Sequence, residues 1–154
     1  MSYSMTKPER EAFLADLHVG ILSVAAPGRG PVSVPVWYDY VPGGELFFCS
    51  PRNARKVDLI RAAGRFSLCA VVEPVPSRYV SVEGAVTAIE ACDFERHQRV
   101  IARRYLGLDG GDAYTEAVRA GEAMVTIRMR PERWSSADYR KQPDLGSNLE
   151  GSAT

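Results

Sequence analysis

The 154-residue sequence predicts a small, mainly β (α+β) fold: an antiparallel barrel of about six strands with peripheral helices. Two observations carry that prediction. Short apolar or alternating runs recur along the chain, and the first three are joined by Pro/Gly turns too short for crossover helices. The helical patterns lie before, between and beside the strand runs without alternating regularly with them, which excludes a doubly wound parallel sheet.

Taken in order, Thr6-Lys7-Pro8-Glu9 has the form of a capping box with proline in the first turn. It predicts a helix to about Leu17 with Phe13, Leu14 and Leu17 inward. His18–Ala25 reads as a strand, and Pro27-Gly28-Arg29-Gly30 as a turn. Pro31–Val41 is the second strand, with Val32, Val34, Val36 and Tyr38 on one face and Ser33, Pro35, Trp37 and Asp39 on the other. Proline inside it implies an edge or a bulge. Pro42-Gly43-Gly44 turns the chain into a strand at Glu45–Ser50. A helix follows over 53–63, with Val57, Ile60 and Ala63 inward and Gly64 as its stop. Arg65–Val72 and Arg78–Ile89 are strands, the latter with a bulge or bend expected at Gly84. Cys92–Leu106 is an Arg-rich amphipathic helix whose apolar contacts are Phe94, Ile101, Tyr105 and Leu106. A short helix over 112–120 and a last strand at Glu122–Met129 complete the domain. One domain is expected over 1–142, with its core at about 8–131 and a disordered Gly/Ser/Asp-rich tail at 143–154.

Composition narrows the function. The formal net charge is zero, which argues against nucleic acid or a membrane surface as the general partner. Basic charge is instead local: Arg52, Arg55, Lys56, Arg61 and Arg65 face one carboxylate, Asp58, within fourteen residues. Cys49, Cys69 and Cys92 form no CxxC pair or zinc-type spacing, so no metal site is expected and the thiols read as reduced and mostly buried. With no apolar signal core at the N-terminus and no run of transmembrane length, a cytoplasmic location is expected.

The stretch Phe47-Phe48-Cys49-Ser50-Pro51-Arg52-Asn53-Ala54-Arg55-Lys56 runs from an apolar strand into a helix start carrying basic side chains. Cations there oppose the helix dipole unless an anion is bound, and a helix start also offers unpaired amide N–H groups. An anion site and an ordinary solvated helix start both fit these residues, and Asp58 gives Arg55 a possible i, i+3 partner. Trp37 beside Pro35 and Val36 could seat a planar heterocycle, or simply belong to the core or an interface. No Ser/His/Asp order, HExxH, GxSxG or Walker pattern is present, and no catalytic residue is assigned. His18 and His97 read as structural, and Arg96, Arg99, Arg103 and Arg104 as a solvated helix face. Chemistry in such a protein would fall to a bound cofactor.

Pro31-Val32-Ser33-Val34-Pro35-Val36-Trp37-Tyr38, Leu46–Ser50, Ala54-Arg55-Lys56-Val57-Asp58-Leu59-Ile60-Arg61, Arg65–Leu68 and Arg78–Gly84 follow one another in an order that resembles the pyridoxamine 5′-phosphate oxidase-like split-barrel superfamily. Within it the chain is most similar to the flavin/deazaflavin (F420)-dependent oxidoreductases. The resemblance implies an FMN-binding type of six-stranded split barrel, a homodimer with cofactor sites in its cleft, and coenzyme F420 or FMN as cofactor. It implies that Lys56 and Arg55 hold the cofactor phosphate with Ser50 and Asn53 near it. Pro35, Val36 and Trp37 would lie along the ring, and Trp134 and Arg140 are candidates for closing the site from the second subunit. The implied activity is hydride transfer between the (deaza)flavin and a small organic substrate. The alternative is a non-catalytic flavin, F420 or haem carrier, haem requiring His18 or His97 as a ligand. The C-terminal substrate segment of true pyridoxamine phosphate oxidases has no counterpart here.

Overall fold

The computed structural model describes residues 2–142; the tail expected at 143–154 lies outside them. Helix α1 (Lys7–Ala15) leads into β1 (Gly20–Val24), β2 (Val32–Val36), β3 (Asp39–Tyr40) and β4 (Leu46–Pro51). Helix α2 (Arg55–Ala63) precedes β5 (Arg65–Val72) and the long β6 (Arg78–Ala91). A π-helical turn (Phe94–Gln98) opens α3 (Arg99–Arg119), and β7 (Met124–Met129) and β8 (Arg133–Asp138) follow. Among the described residues, no helix is long and apolar enough to cross a membrane.

All strand pairings are antiparallel, in the order β2-β1-β5-β6-β7-β4-β3, with β8 also on β6. The two ends of this order, β2 and β3, are consecutive in the chain and separated only by Trp37 and Tyr38. The sheet is therefore curled into a half-closed barrel, and Trp37 lies at its seam. Alternation works as the sequence predicts: Leu22, Val36, Tyr38, Phe48, Leu68, Val80, Ile127 and Met129 are buried and their neighbours point outward. Pro35 is on an edge strand, where its missing N–H costs no ladder bond.

The strand β6 links the two halves of the sheet. Its first half pairs with β5 and β8, its second half with β7. Gly84 sits at the hand-over, where a Cβ would come within 1.7 Å of the Arg130 carbonyl oxygen. Glycine is required there by that close approach; the register shift expected near it falls instead between Val86 and Ala88.

Several expectations are corrected. Eight strands form instead of six, because the 31–41 run breaks at Trp37–Tyr38 to change partner and because β8 pairs along β6. Thr6 caps α1 by accepting from the Glu9 amide, but the helix stops at Ala15, so Leu17 falls outside it and is 56% exposed. Ala63 and Leu106 face solvent as well. The predicted helices at 92–106 and 112–120 are the arms of α3, bent at Gly107, whose φ of 77° needs glycine. The three thiols are free and only partly buried.

Candidate functional site

The barrel seam, β4, the start of α2 and both arms of α3 enclose a cavity of about 480 Å³, within the ~300–1,000 Å³ typical of small-molecule sites. Pro35, Val36 and Trp37 form one wall, and Cys49 and Pro51 the floor from β4. Lys56 enters from α2. Gln98, Ile101, Tyr114 and Val118 cover it from the π-helical turn and α3, with Val19, Gly121, Glu122 and Met124 at the rim.

The strand β4 sorts its side chains by parity. Leu46, Phe48 and Ser50 point into the core, leaving Cys49 and Pro51 for the cavity. Ser50 is fully buried, and its hydroxyl donates to the Pro51 carbonyl at 3.1 Å. It does not line the cavity. Asn53 and Arg55 are exposed on the turn and first residue leading into α2, outside the lining but on the same approach as Lys56. Of the seven sequence candidates, the structure thus gathers Pro35, Val36, Trp37 and Lys56 around one cavity.

Trp37 is held by α3. Its indole stacks on Tyr105 with ring centroids 4.9 Å apart and planes 6° from parallel, and Tyr114 tilts against it at 5.4 Å. The Tyr105 hydroxyl donates to the His18 carbonyl and accepts from the Tyr38 amide at 3.3 Å. The backbone freed after β2 is therefore claimed at Tyr38. At Pro35 and Val36 the strand remains a sheet edge, open on the side away from β1.

Lys56 carries the electrostatics. It is half-buried, and desolvation holds its ammonium below the ordinary lysine value. No carboxylate forms an ion pair with it among the described residues; Glu122, also in the wall, is not within pairing distance. The helix that presents Lys56 has Ala54 at its N-cap and no side-chain cap; the Val57 amide bonds the Ala54 carbonyl, and the Arg55 and Lys56 amides are left open. By contrast, Thr6 caps α1 and Asp93 caps the π-helical turn. Asp58 does not pair with Arg55 within ion-pair distance.

The other candidates lie elsewhere. His18 stacks on Phe13 at 4.3 Å and its Nε2 bonds the Phe13 carbonyl. The Nε2 of His97 accepts from Arg128, and its Nδ1 lies 2.8 Å from the Thr126 hydroxyl. Burial, and for His97 also Arg128, holds both imidazoles below their ordinary value. Trp134 lies under the Arg10 guanidinium at 4.8 Å and edge-on to Tyr40; Arg140 pairs with Asp138 at 2.7 Å. Neither lines the cavity. Among the described residues no group of three or more His, Cys, Asp or Glu is placed to hold a metal. The cover from Gln98, Ile101, Tyr114 and Val118 was missed in the sequence. Its only signal was the Gly107–Gly111 break that folds α3 back on itself.

No protein-family model and no curated protein sequence matches this chain. Solved structures do. The conserved hypothetical protein Rv2991 from Mycobacterium tuberculosis aligns at TM-score 0.74 and 23% identity, over 89% of this chain and 87% of that one. An F420 reductase aligns at TM-score 0.63 and 22% identity, over 81% and 94%. A candidate pyridoxamine 5′-phosphate oxidase from Listeria innocua aligns at 0.62 and 14%, over 84% and 96%. The curled antiparallel sheet with its seam at Trp37, matched over most of each of these chains, is the pyridoxamine 5′-phosphate oxidase-like split-barrel fold.

Proposed function

We propose that the cavity binds a phosphate-bearing flavin or deazaflavin, FMN or coenzyme F420, and that the protein is an oxidoreductase moving a hydride between that ring and a small organic substrate. The observation that carries this reading is Lys56: a half-buried, unpaired ammonium at an uncapped helix start, in the same cavity as a flat indole. These residues fit the group. Lys56, the open α2 amides and the exposed Arg55 supply positive charge for a phosphate. Pro35, Val36 and Trp37 supply an apolar wall for a ring, and the arms of α3 limit water above it. When bound, the ring supplies the two-electron chemistry, which suits a cavity whose lining offers no His and a single carboxylate. The solved F420 reductase of the same fold supports the assignment.

Haem fits less well, since His18 and His97 are both engaged elsewhere and neither lines the cavity. A homodimer is part of the proposal. Val19, Ile21 and Val71 are 49%, 39% and 44% exposed, and Ile21 neighbours Pro35 and Cys69 on the outward sheet face. A second copy on this face would cover apolar area and meet the cavity rim at Val19.

Titration of the purified protein with FMN, F420 and haem, followed by cofactor fluorescence or absorbance, tests the reading. Micromolar or tighter binding of FMN or F420 supports it, and binding of neither overturns it. Reoxidation of the bound reduced cofactor by a panel of conjugated enones and quinones, faster than in free solution, supports an enzyme. No acceleration with any of them supports a carrier.

A further inference from the structure

The floor of the cavity contains a thiol that is not alone. Cys49 on β4 and Cys92, just past the end of β6, are 43 residues apart in sequence, yet their sulfurs lie 3.6 Å from each other. The Cys92 amide donates to the Met124 carbonyl, which fixes this segment beside β7. Thr126, between them on β7, places its hydroxyl 3.5 Å from the Cys49 sulfur. Cys49 lines the cavity, and Gln98, six residues beyond Cys92, lines it too.

We propose that Cys49 and Cys92 are an oxidation site: a dithiol at the edge of the cavity, with Cys49 in its lining and Cys92 beside it, that a hydroperoxide converts to a disulfide. The Cys92 thiolate attacks the peroxide, forming an S–O bond as the O–O bond breaks, and the expelled alkoxide or hydroxide takes a proton from solvent to leave as an alcohol or water. Cys49 then attacks the Cys92 sulfenic acid. The S–S bond forms, the S–O bond breaks, and the Cys49 proton departs with the hydroxide as water. Two sulfurs lose one electron each and the peroxide gains two.

The environment assigns the roles. The Cys49 S–H, followed by Thr126 and the Gln98 amide, stabilises the Cys92 thiolate and holds its pKa down at about 7. The contact with Cys92 and then burial push the Cys49 thiol up. Cys92 is thus the attacking thiolate and Cys49 the resolving thiol. Closing from 3.6 Å to a disulfide bond of ~2.05 Å brings the two sulfurs about 1.5 Å closer. The moving part is the short link between β6 and the π-helical turn that carries Gln98, so oxidation alters the cavity cover. Cys69, on the outward face of β5 and raised by burial, is an internal control.

The test uses the reduced full-length chain and hydrogen peroxide, with free-thiol counting and peptide mapping without reductant. The expected result is loss of two of the three thiols, a peptide pair joining Cys49 to Cys92, and full recovery with dithiothreitol. Cys49→Ser should trap Cys92 as a dimedone-reactive sulfenic acid, and Cys92→Ser should leave Cys49 at least tenfold slower to react. Three results overturn the proposal: no cross-link, a cross-link through Cys69, or overoxidation of Cys92 while Cys49 stays a thiol. None of these readouts depends on cofactor binding, so they are independent of the proposed function, and the wild-type map needs no variant to fold.

Discussion

Arg99, Arg103 and Arg119 on α3 each meet carboxylates, whereas Arg52, Arg55 and Lys56 around the start of α2 form no ion pair among the described residues. Arg99 alone reaches Glu95 at 2.8 Å, Asp112 at 2.9 Å and Glu116. These bonds tie together the π-helical turn and the two arms of α3 that cover the cavity. Both stretches look alike as lists of basic residues. The difference lies in where the carboxylates fall: Glu95 is one turn from Arg99, and the bend at Gly107 brings Asp112 and Glu116 back onto it. Around α2 the one nearby carboxylate, Asp58, is not used. Cations left unpaired at a helix N-terminus are disfavoured by ~0.3–1 kcal/mol each. That cost is offset when an anion binds.

The comparison can be broken by substitution. The largest effect is expected for Lys56→Ala. Losing a charge-assisted hydrogen bond of ~1.5–3 kcal/mol should weaken FMN or F420 binding by about 10- to 100-fold, measured by fluorescence titration. The melting temperature should hardly change. Arg55→Ala, at an exposed position, should weaken binding only about 2- to 5-fold, and high salt should erase that difference. Arg99→Ala should do the opposite of both: lower the melting temperature while leaving affinity within about twofold of wild type.

The pH dependence sharpens the same contrast. Anion binding needs protonated Lys56, whose pKa is lowered by burial, so affinity should decline with rising pH before the ordinary lysine value of 10.5 is reached. His97 and His18 are held below 6.5 by burial, so the unfolded chain takes up protons first on acidification. The stability this gives is fully present above 6.5 and is lost as pH falls through the folded values. Thermal melts from pH 8 to 5 should show that fall.

Much of the barrel was legible because period-2 burial is a local signal, strong in Val32–Tyr38, Leu46–Ser50 and Arg65–Val72. β8 was not, since Arg133-Trp134-Ser135-Ser136-Ala137-Asp138 has no β-branched residue and exists through its pairing with β6. The break at Trp37–Tyr38 was hidden because both residues are apolar and continue the run. In the site, Lys56 and the Pro35–Trp37 wall follow from a strand end and a helix start. Ser50 could have been excluded by parity alone, sharing its face with Phe48. The cover from α3 could not be read, because it depends on a bend and a charge network that join residues far apart.

Whether the α2 corner reads a phosphate is decided by a double comparison: FMN against riboflavin, which lacks the phosphate, on wild type and on Lys56→Ala, with F420 and its phosphate-free deazaflavin as the parallel pair. The expected result is that wild type prefers the phosphorylated ligand by at least tenfold, that Lys56→Ala loses most of this preference, and that riboflavin affinity barely changes. Equal affinity of wild type for the two ligands, or an equal loss for both in Lys56→Ala, would contradict an anion site at Lys56.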